Sequence, residues 1–186
     1  MIEQLIHTIT QQLAQRNIAY MIIGGQAVLI YGRPRLTRDI DITLGIDTND
    51  FNQIDNLCRD LNLNPLPDHP KDFASQTRVL PVEDVHSKIR IDFIFSFMPY
   101  ERQAIEHAKT VHIGNYSAKF ASCEDVIIHK MIAGRAIDEE DVKSILAKNR
   151  ATLDRAYIEK WLKEFSLIPE YERVFLQWSH LLEEVQ

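Results

Sequence analysis

Apolar positions in the first third of the chain change repeatedly between helical and strand spacing. Residues 2–16 place Ile and Leu at three- and four-residue intervals, which predicts an amphipathic helix. The apolar run 19–23 ends at Gly24-Gly25 and predicts a buried strand followed by a short helix. Residues 39–44 alternate polar and apolar side chains, so we expect a strand with one hydrated face. Residues 51–61 return to helical spacing.

The pattern changes again after residue 61. Residues 62–76 hold three prolines with several Asn and Asp residues, which predicts a loop. Strands are predicted at 78–80 and 88–95, a helix at 100–108, and a hairpin at 110–120 around Gly114-Asn115. From there on the spacing is helical, and it predicts helices at 123–134, 138–149, 154–165 and 169–185.

Strands therefore concentrate in the first part of the chain and helices in the second. We predict an α/β (α+β) fold in which a small mixed β-sheet flanked by helices forms a core over residues 1–121. Residues 122–186 are predicted to form a C-terminal α-helical region.

Composition and charge narrow the class of protein. The 186 residues are 45% hydrophobic and 26% charged, which is ordinary for a globular protein. No apolar run approaches the ~18 residues of a membrane span, and the polar, amphipathic first fifteen residues predict no signal peptide. Cys58 and Cys123 fit no metal or redox spacing, so we expect reduced thiols in a cytoplasmic protein. The net charge of -6 argues against a broad nucleic-acid groove but leaves room for a local basic site.

Three aspartates interrupt the predicted strands. Asp39 and Asp41 are two residues apart, so their carboxylates share one face of the sheet and repel each other unless a cation lies between them. Asp92 interrupts an otherwise apolar strand and needs either a basic partner, such as Arg90 or Arg38, or a metal site. A hard divalent cation with oxygen ligands, typically Mg²⁺ together with phosphate oxygens, fits such a set.

Gly24 and Gly25 come directly after a predicted strand and before a predicted helix. Glycine lets a ligand approach the backbone closely, and a helix N-terminus offers free N–H groups and a positive dipole end to phosphate. By itself a glycine pair is more typical of a simple turn than of a phosphate site. It is neither a dinucleotide-binding fingerprint nor a Walker A loop.

Taken together, these motifs resemble a known group of enzymes. The strand, Gly-Gly turn, helix and Asp-x-Asp strand of residues 22–44, with a later third acid, resemble the active-site segment of the DNA polymerase β-type nucleotidyltransferase superfamily. The run 35–41 and the segment from Ser122 to Asp141 resemble the AbiEii-type toxins and related minimal nucleotidyltransferases. Relatives often carry Ser as the second residue of the turn, where this chain has Gly25.

The resemblance implies a magnesium-dependent nucleotidyltransferase. Its substrate would be an NTP such as ATP, and a nucleoside monophosphate would pass to an acceptor hydroxyl with release of pyrophosphate. Asp39 and Asp41 would bind two Mg²⁺ or Mn²⁺ ions. Asp92 would be a further ligand of one of these ions and would act as a general base. The acceptor could be a tRNA end, a protein or a small molecule such as an aminoglycoside. A toxin role would add a cognate antitoxin as partner.

Two basic residues are candidate nucleotide ligands beside Gly24 and Gly25. Arg38 immediately precedes the first aspartate, where a guanidinium could neutralise triphosphate oxygens or pair locally with a carboxylate. The resemblance favours Lys130 facing the nucleotide, whereas its place near a helix end also allows a pair with Asp138 or Asp141.

Two other functions stay open at this point. A non-catalytic member could keep the fold as a nucleotide-binding or complex-forming protein. Three neighbouring acids lower the stability of the fold, which favours an enzyme that needs them. A phosphohydrolase could use the same acids and would release phosphate instead of labelling an acceptor.

Overall fold

The computed structural model describes residues 1–185 and divides them into two compact units. The first unit is formed by Met1–Gln26 with Leu36–Phe120, and the second by Ala27–Arg35 with the chain from Ala121 onward. The helices are α1 (Ile2–Gln15), α2 (Gly24–Tyr31), α3 (Phe51–Asp60), α4 (Pro70–Thr77), α5 (Pro99–His107), α6 (Cys123–Ala133), α7 (Ala136–Asn149), α8 (Arg155–Phe165) and α9 (Val174–Glu184). The strands are β1 (Tyr20–Ile23), β2 (Ile40–Leu44), β3 (Leu63–Pro65), β4 (Val79–Asp84), β5 (Arg90–Phe95), β6 (Lys109–Ile113) and β7 (Tyr116–Phe120).

The first unit is built on one mixed sheet with strand order β3-β4-β5-β2-β1-β7-β6. β1 and β2 pair antiparallel, whereas β2 pairs parallel with β5 and β1 parallel with β7. The centre of the sheet therefore consists of β5, β2 and β1, the strands on which the sequence places its acids and glycines. The expected fold class, a small mixed sheet flanked by helices, is confirmed.

One face of the central strands forms the core of this unit. Ile40, Ile42 and Leu44 of β2 are fully buried, as the alternating pattern predicted. Their register partners on β5, Ile91, Phe93 and Phe95, are buried as well, and Phe95 stacks on Phe51 of α3. The opposite face of the same strands carries Asp41 and Asp92, so one side of the sheet is apolar and the other bears the acids.

The prediction of a loop over residues 62–76 is wrong. This stretch contains the edge strand β3 and the helix α4. Pro65 lies at the end of β3, and an edge strand tolerates proline because one side of it needs no ladder donor. Pro70 occupies the first turn of α4, where its missing N–H has no partner to lose. Pro65 and Pro70 thus mark the ends of regular elements, whereas the loop prediction assumed that prolines exclude such elements from this stretch.

The second unit is helical within the described residues. α6 contacts α7, α8 and α9, and α8 also packs against α9. Trp178 is fully buried, and Trp161 and Phe165 are nearly so, which makes these aromatic side chains part of the core of this unit. A short 3-10 turn at Pro169–Tyr171 delays the last helix to Val174, later than predicted. The second unit begins near the predicted boundary at residue 121, but it also includes residues 27–35. Whether residues 1–121 and 122–186 are separate domains stays a prediction.

Candidate active site

Two of the three candidate acids are direct neighbours across the sheet. Asp41 of β2 and Asp92 of β5 are register partners on adjacent parallel strands, so their side chains leave the sheet side by side. Asp39 lies one residue before β2 and is exposed, and its charge, like that of Asp41, acts on Arg90 of β5. The structure therefore pairs Asp41 with Asp92 on one face of the sheet and places Asp39 just before it, in the first unit.

Arg90 neutralises part of this charge. Its Nε donates to Asp92 Oδ1 at 2.8 Å and its Nη2 to Oδ2 at 3.1 Å, a bidentate pair between residues of one strand. The hydrogen bond to Asp92, followed by the attraction of Asp92, Asp39 and Asp41, raises the pKa of Arg90 above its ordinary value. The Arg90 side chain is half exposed, so it can leave Asp92 without unpacking the core.

The glycine turn is shaped by two side chains that lie on it. Gly24 has a φ of +64°, and a Cβ built there would lie 2.8 Å from Asp41 Cγ and closer still to Oδ2. A Cβ on Gly25 would lie 2.8 Å from Thr37 Cβ and closer to its Oγ1. Each glycine is therefore required by close approach, and the turn forms a cradle for the carboxylate of Asp41 and the hydroxyl of Thr37. α2 begins at Gly24 itself, two residues before the predicted helix.

Further contacts position the segment before β2. Gln26, which is buried in the first turn of α2, donates from Nε2 to the backbone carbonyl of Asp39 at 3.3 Å. This bond ties the segment that carries Asp39 to the glycine turn. Arg38 is exposed beside Asp39 and so has room to meet an anionic ligand.

The residues on this face fit a hard cation by their chemistry. Carboxylate oxygens of Asp41 and Asp92 on adjacent strands, with Asp39 nearby, are the donors that Mg²⁺ and Mn²⁺ prefer. Among residues 1–185, no three acidic, His or Cys side chains already converge closely enough to hold a metal. The Arg90 guanidinium takes both Asp92 oxygens, so a cation that binds Asp92 would have to displace it.

Lys130 lies in the second unit within a buried charge network. Its Nζ contacts Asp138 Oδ1 at 2.7 Å and Asp141 Oδ2 at 2.9 Å, and its side chain is 5% exposed. Arg135 pairs with Asp138, and Arg35 makes a bidentate pair with Asp141 at 2.9 Å. The structure thus places Lys130 in the carboxylate pairing that the sequence left open, and binding of nucleotide by Lys130 stays a prediction.

The two aspartates of this network are held in their charged form. Burial alone would raise the pKa of Asp138, but hydrogen bonds from Arg135 and Lys130 outweigh it and lower the pKa below its usual value. Burial is likewise outweighed at Asp141, where hydrogen bonds from Arg35 and Lys130 lower the pKa. The network therefore stabilises the fold only while the carboxylates of Asp138 and Asp141 are ionised.

Comparison with known proteins decides the family. The family model described as "Nucleotidyl transferase AbiEii toxin, Type IV TA system" matches residues 17–143. The chain belongs to the AbiEii nucleotidyltransferase family. The match includes the glycine turn, all three acids and the Lys130 network. No curated protein sequence matches the chain.

Solved structures agree with this AbiEii assignment at the level of fold. The antibiotic-resistance factor ANT(2'')-Ia is 14% identical, with a TM-score of 0.63, and the match covers 91% of this chain and 96% of that one. A nucleotidyltransferase-like protein from Paracoccidioides brasiliensis is 14% identical, with a TM-score of 0.57 and coverage of 94% and 91%. The lincosamide adenylyltransferase LnuA, solved with lincomycin bound, is 16% identical, with a TM-score of 0.55 and coverage of 77% and 95%.

Two residues beside the acids, Thr37 and Gln26, were not among the predicted site residues of this AbiEii family member. Thr37 lies on Gly25 and Gln26 binds the Asp39 carbonyl, and both contacts depend on the folding back of residues 33–39. No local pattern in the sequence signals either contact, because each joins residues that are distant along the chain.

No helix of the described chain combines the length and apolarity needed to cross a membrane.

Proposed function

We propose that this chain is a magnesium-dependent nucleotidyltransferase that transfers a nucleoside monophosphate from an NTP to an acceptor hydroxyl. The observation that carries the proposal is the register pairing of Asp41 with Asp92, with the Asp41 carboxylate resting on Gly24. Paired carboxylates beside a glycine turn suit phosphate chemistry, because a cation and backbone N–H groups can act on the same oxygens. Membership of the AbiEii family supports the reaction class.

Each residue of the site has a part in this proposal. Asp39, Asp41 and Asp92 would hold Mg²⁺ or Mn²⁺, which when bound supplies positive charge to phosphate oxygens and to the attacking hydroxyl. Backbone N–H groups at Gly24 and Gly25 would donate to the triphosphate, and exposed Arg38 would neutralise its charge. The acceptor oxygen would form a bond to the α-phosphorus as the bond to pyrophosphate breaks.

The proton of the acceptor hydroxyl needs a base in this scheme. Asp92 is the candidate, because its two oxygens lie on the open face of the sheet beside Asp41. Arg90 donates to both of these oxygens, so it would have to turn away before Asp92 accepts a proton. The half-exposed side chain of Arg90 makes such a turn inexpensive.

The acceptor and the biological role are the finer part of the proposal. One similar structure contains adenylyl-2''-tobramycin bound to ANT(2'')-Ia, and another contains lincomycin bound to LnuA. A compact, hydroxyl-bearing molecule or a tRNA end would suit this chain, whose net charge of -6 disfavours an extended nucleic-acid surface. The family's name supports a toxin role with a cognate antitoxin as partner.

Ligand-linked unfolding tests the binding half of the proposal. A ligand that binds only the folded chain raises its unfolding free energy, by about 2.7 kcal/mol at one hundred times the Kd. We expect NTP with Mg²⁺ to raise the melting temperature, and EDTA or the Asp41→Asn variant to remove the rise. Asp60→Asn, at a surface ion pair, should keep it. A wild-type chain that shows no shift with any NTP and Mg²⁺ would contradict the proposal.

A further inference from the structure

A threonine hydroxyl occupies the space that a side chain at the second turn glycine would need. A Cβ on Gly25 would meet Thr37 Cβ at 2.8 Å and Thr37 Cγ2 at 3.4 Å, with Oγ1 closer than either. A serine at position 25 and a threonine at position 37 therefore cannot both keep these places. The hydroxyl at the turn therefore comes from Thr37, in the segment just before β2.

The Thr37 hydroxyl is available to a ligand. The side chain is partly exposed, and within residues 1–185 its Oγ1 has no hydrogen-bond partner. Its neighbour on the cradle is the Asp41 carboxylate, since Asp41 lies on Gly24 and Thr37 on Gly25. A group that binds there would touch a hydroxyl donor on one side and an acid suited to a cation on the other.

We propose that Thr37 Oγ1–H donates a hydrogen bond to a phosphate oxygen of the NTP when it binds at the glycine turn. The inference rests on the proposed nucleotidyltransferase function. It assigns to Thr37 a role in binding the triphosphate, in contact with the substrate. The close approach of Thr37 leaves no room for a side chain at position 25.

Packing is the other explanation for a side chain that lies on glycine. Valine has the shape of threonine without the hydroxyl, so Thr37→Val keeps the packing on Gly25 and removes only the donor. Thr37→Ser keeps the donor and removes the methyl group. The two variants therefore separate a hydrogen bond to the ligand from a contact within the fold.

The first measurement is the Kd of NTP with Mg²⁺ for the full chain, by calorimetry, with the melting temperature of the ligand-free protein as a check on folding. Loss of a hydrogen bond to a charged group should weaken binding about 10- to 100-fold in Thr37→Val. Thr37→Ser keeps the hydroxyl donor, so its Kd should stay within about threefold of the wild-type value. Thr8→Val is the matched control, because the Thr8 hydroxyl donates to the Gln4 carbonyl within α1.

The second measurement moves the hydroxyl from one position to the other. Gly25→Ser alone should weaken NTP binding, because the new side chain collides with Thr37. Gly25→Ser combined with Thr37→Ala removes the collision and returns a hydroxyl, so it should bind more tightly than either single variant. Equal affinity of Thr37→Val and wild type, or no gain in the double variant, would overturn the inference. Absence of binding by the wild type would instead overturn the proposed function.

Discussion

At the scale of single residues, Arg90 offsets part of the negative charge of the aspartates at the candidate site. Arg90 and Asp92 are two positions apart on β5, so both side chains leave the same face of the sheet. The sequence predicted a basic partner or a metal for Asp92, and the structure has the basic partner. Because the guanidinium takes both oxygens, the pairing offsets the repulsion between Asp92 and the neighbouring Asp41.

Replacement of Arg90 by Gln should therefore change metal binding and stability in opposite directions. Without the guanidinium the acids repel each other, so we expect a lower melting temperature in EDTA. Mn²⁺ should bind more tightly and raise the melting temperature by more than in wild type. Titration of Mn²⁺ by electron paramagnetic resonance measures the affinity directly. Arg59→Gln, at an exposed helix pair with Asp55, should change neither quantity. Weaker Mn²⁺ binding in Arg90→Gln would contradict this account.

The Lys130 network makes a separate prediction about stability. Asp138 is fully buried and accepts hydrogen bonds from Lys130 and Arg135. Asp138→Ala leaves a buried ammonium without one of its partners, which should lower the unfolding free energy by about 3–5 kcal/mol. Denaturant titration gives the difference. Asp60→Ala, at an exposed pair with Arg16, should cost less than about 1 kcal/mol.

The same network predicts a dependence on pH. The pKa values of Asp138 and Asp141 are lowered in the folded chain, so the stabilisation is present above the unfolded pKa of about 3.9 and is lost as the pH falls through the folded values. Melting temperature measured against pH should fall steeply below about pH 4 in wild type. The fall should be shallower in Asp138→Asn. Parallel profiles for the two proteins would show that the network does not carry acid sensitivity.

At the scale of elements, the turn between β1 and α2 is the part of the site most dependent on close packing. Gly24 has a positive φ and lies under the Asp41 carboxylate, so two independent constraints require glycine there. The sequence predicted the strand, the turn and the helix, because apolar runs and glycines mark them. It could not predict the side chains of Asp41 and Thr37 on the turn, since these contacts join residues more than ten positions apart.

A pair of glycines allows a matched test of this turn. Gly24 and Gly114 both have positive φ, but a Cβ on Gly114 would meet nothing within 4 Å. Gly114→Ala should cost only the backbone strain, about 1–2 kcal/mol, and leave Mn²⁺ binding unchanged. Gly24→Ala carries the same strain and also displaces Asp41, so it should lose more stability and most of its Mn²⁺ affinity. Equal effects of the two substitutions would contradict the cradle.

Local sequence patterns predicted some elements correctly and missed others that depend on neighbouring strands. The hairpin of β6 and β7 was predicted from two strand-like runs around Gly114-Asn115, and local chemistry is enough to define it. β3 and α4 were missed because their prolines were interpreted without knowing the neighbours. Pro65 is tolerated only because β3 is an edge strand, and that position follows from the order of the whole sheet.

At the scale of the whole molecule, the sequence predicted the fold class and the family, because the acids and glycines follow the order of the central strands. Fold class and family are confirmed. It missed the grouping of residues 27–35 with the later helices, since this follows from long-range contacts such as Arg35 with Asp141. The acceptor depends on surface shape and chemistry that no pattern along the chain encodes.

Transfer of a labelled nucleotide is the direct test of the proposed reaction. The full chain is incubated with each α-labelled NTP, Mg²⁺ and cell extract, and label is followed into RNA, protein and small molecules. The account predicts that one acceptor class becomes labelled with release of pyrophosphate, that Asp41→Asn and EDTA abolish the label, and that Asp60→Asn keeps it. Release of phosphate without a labelled acceptor, binding of NTP without transfer, or labelling that survives in Asp41→Asn would contradict it.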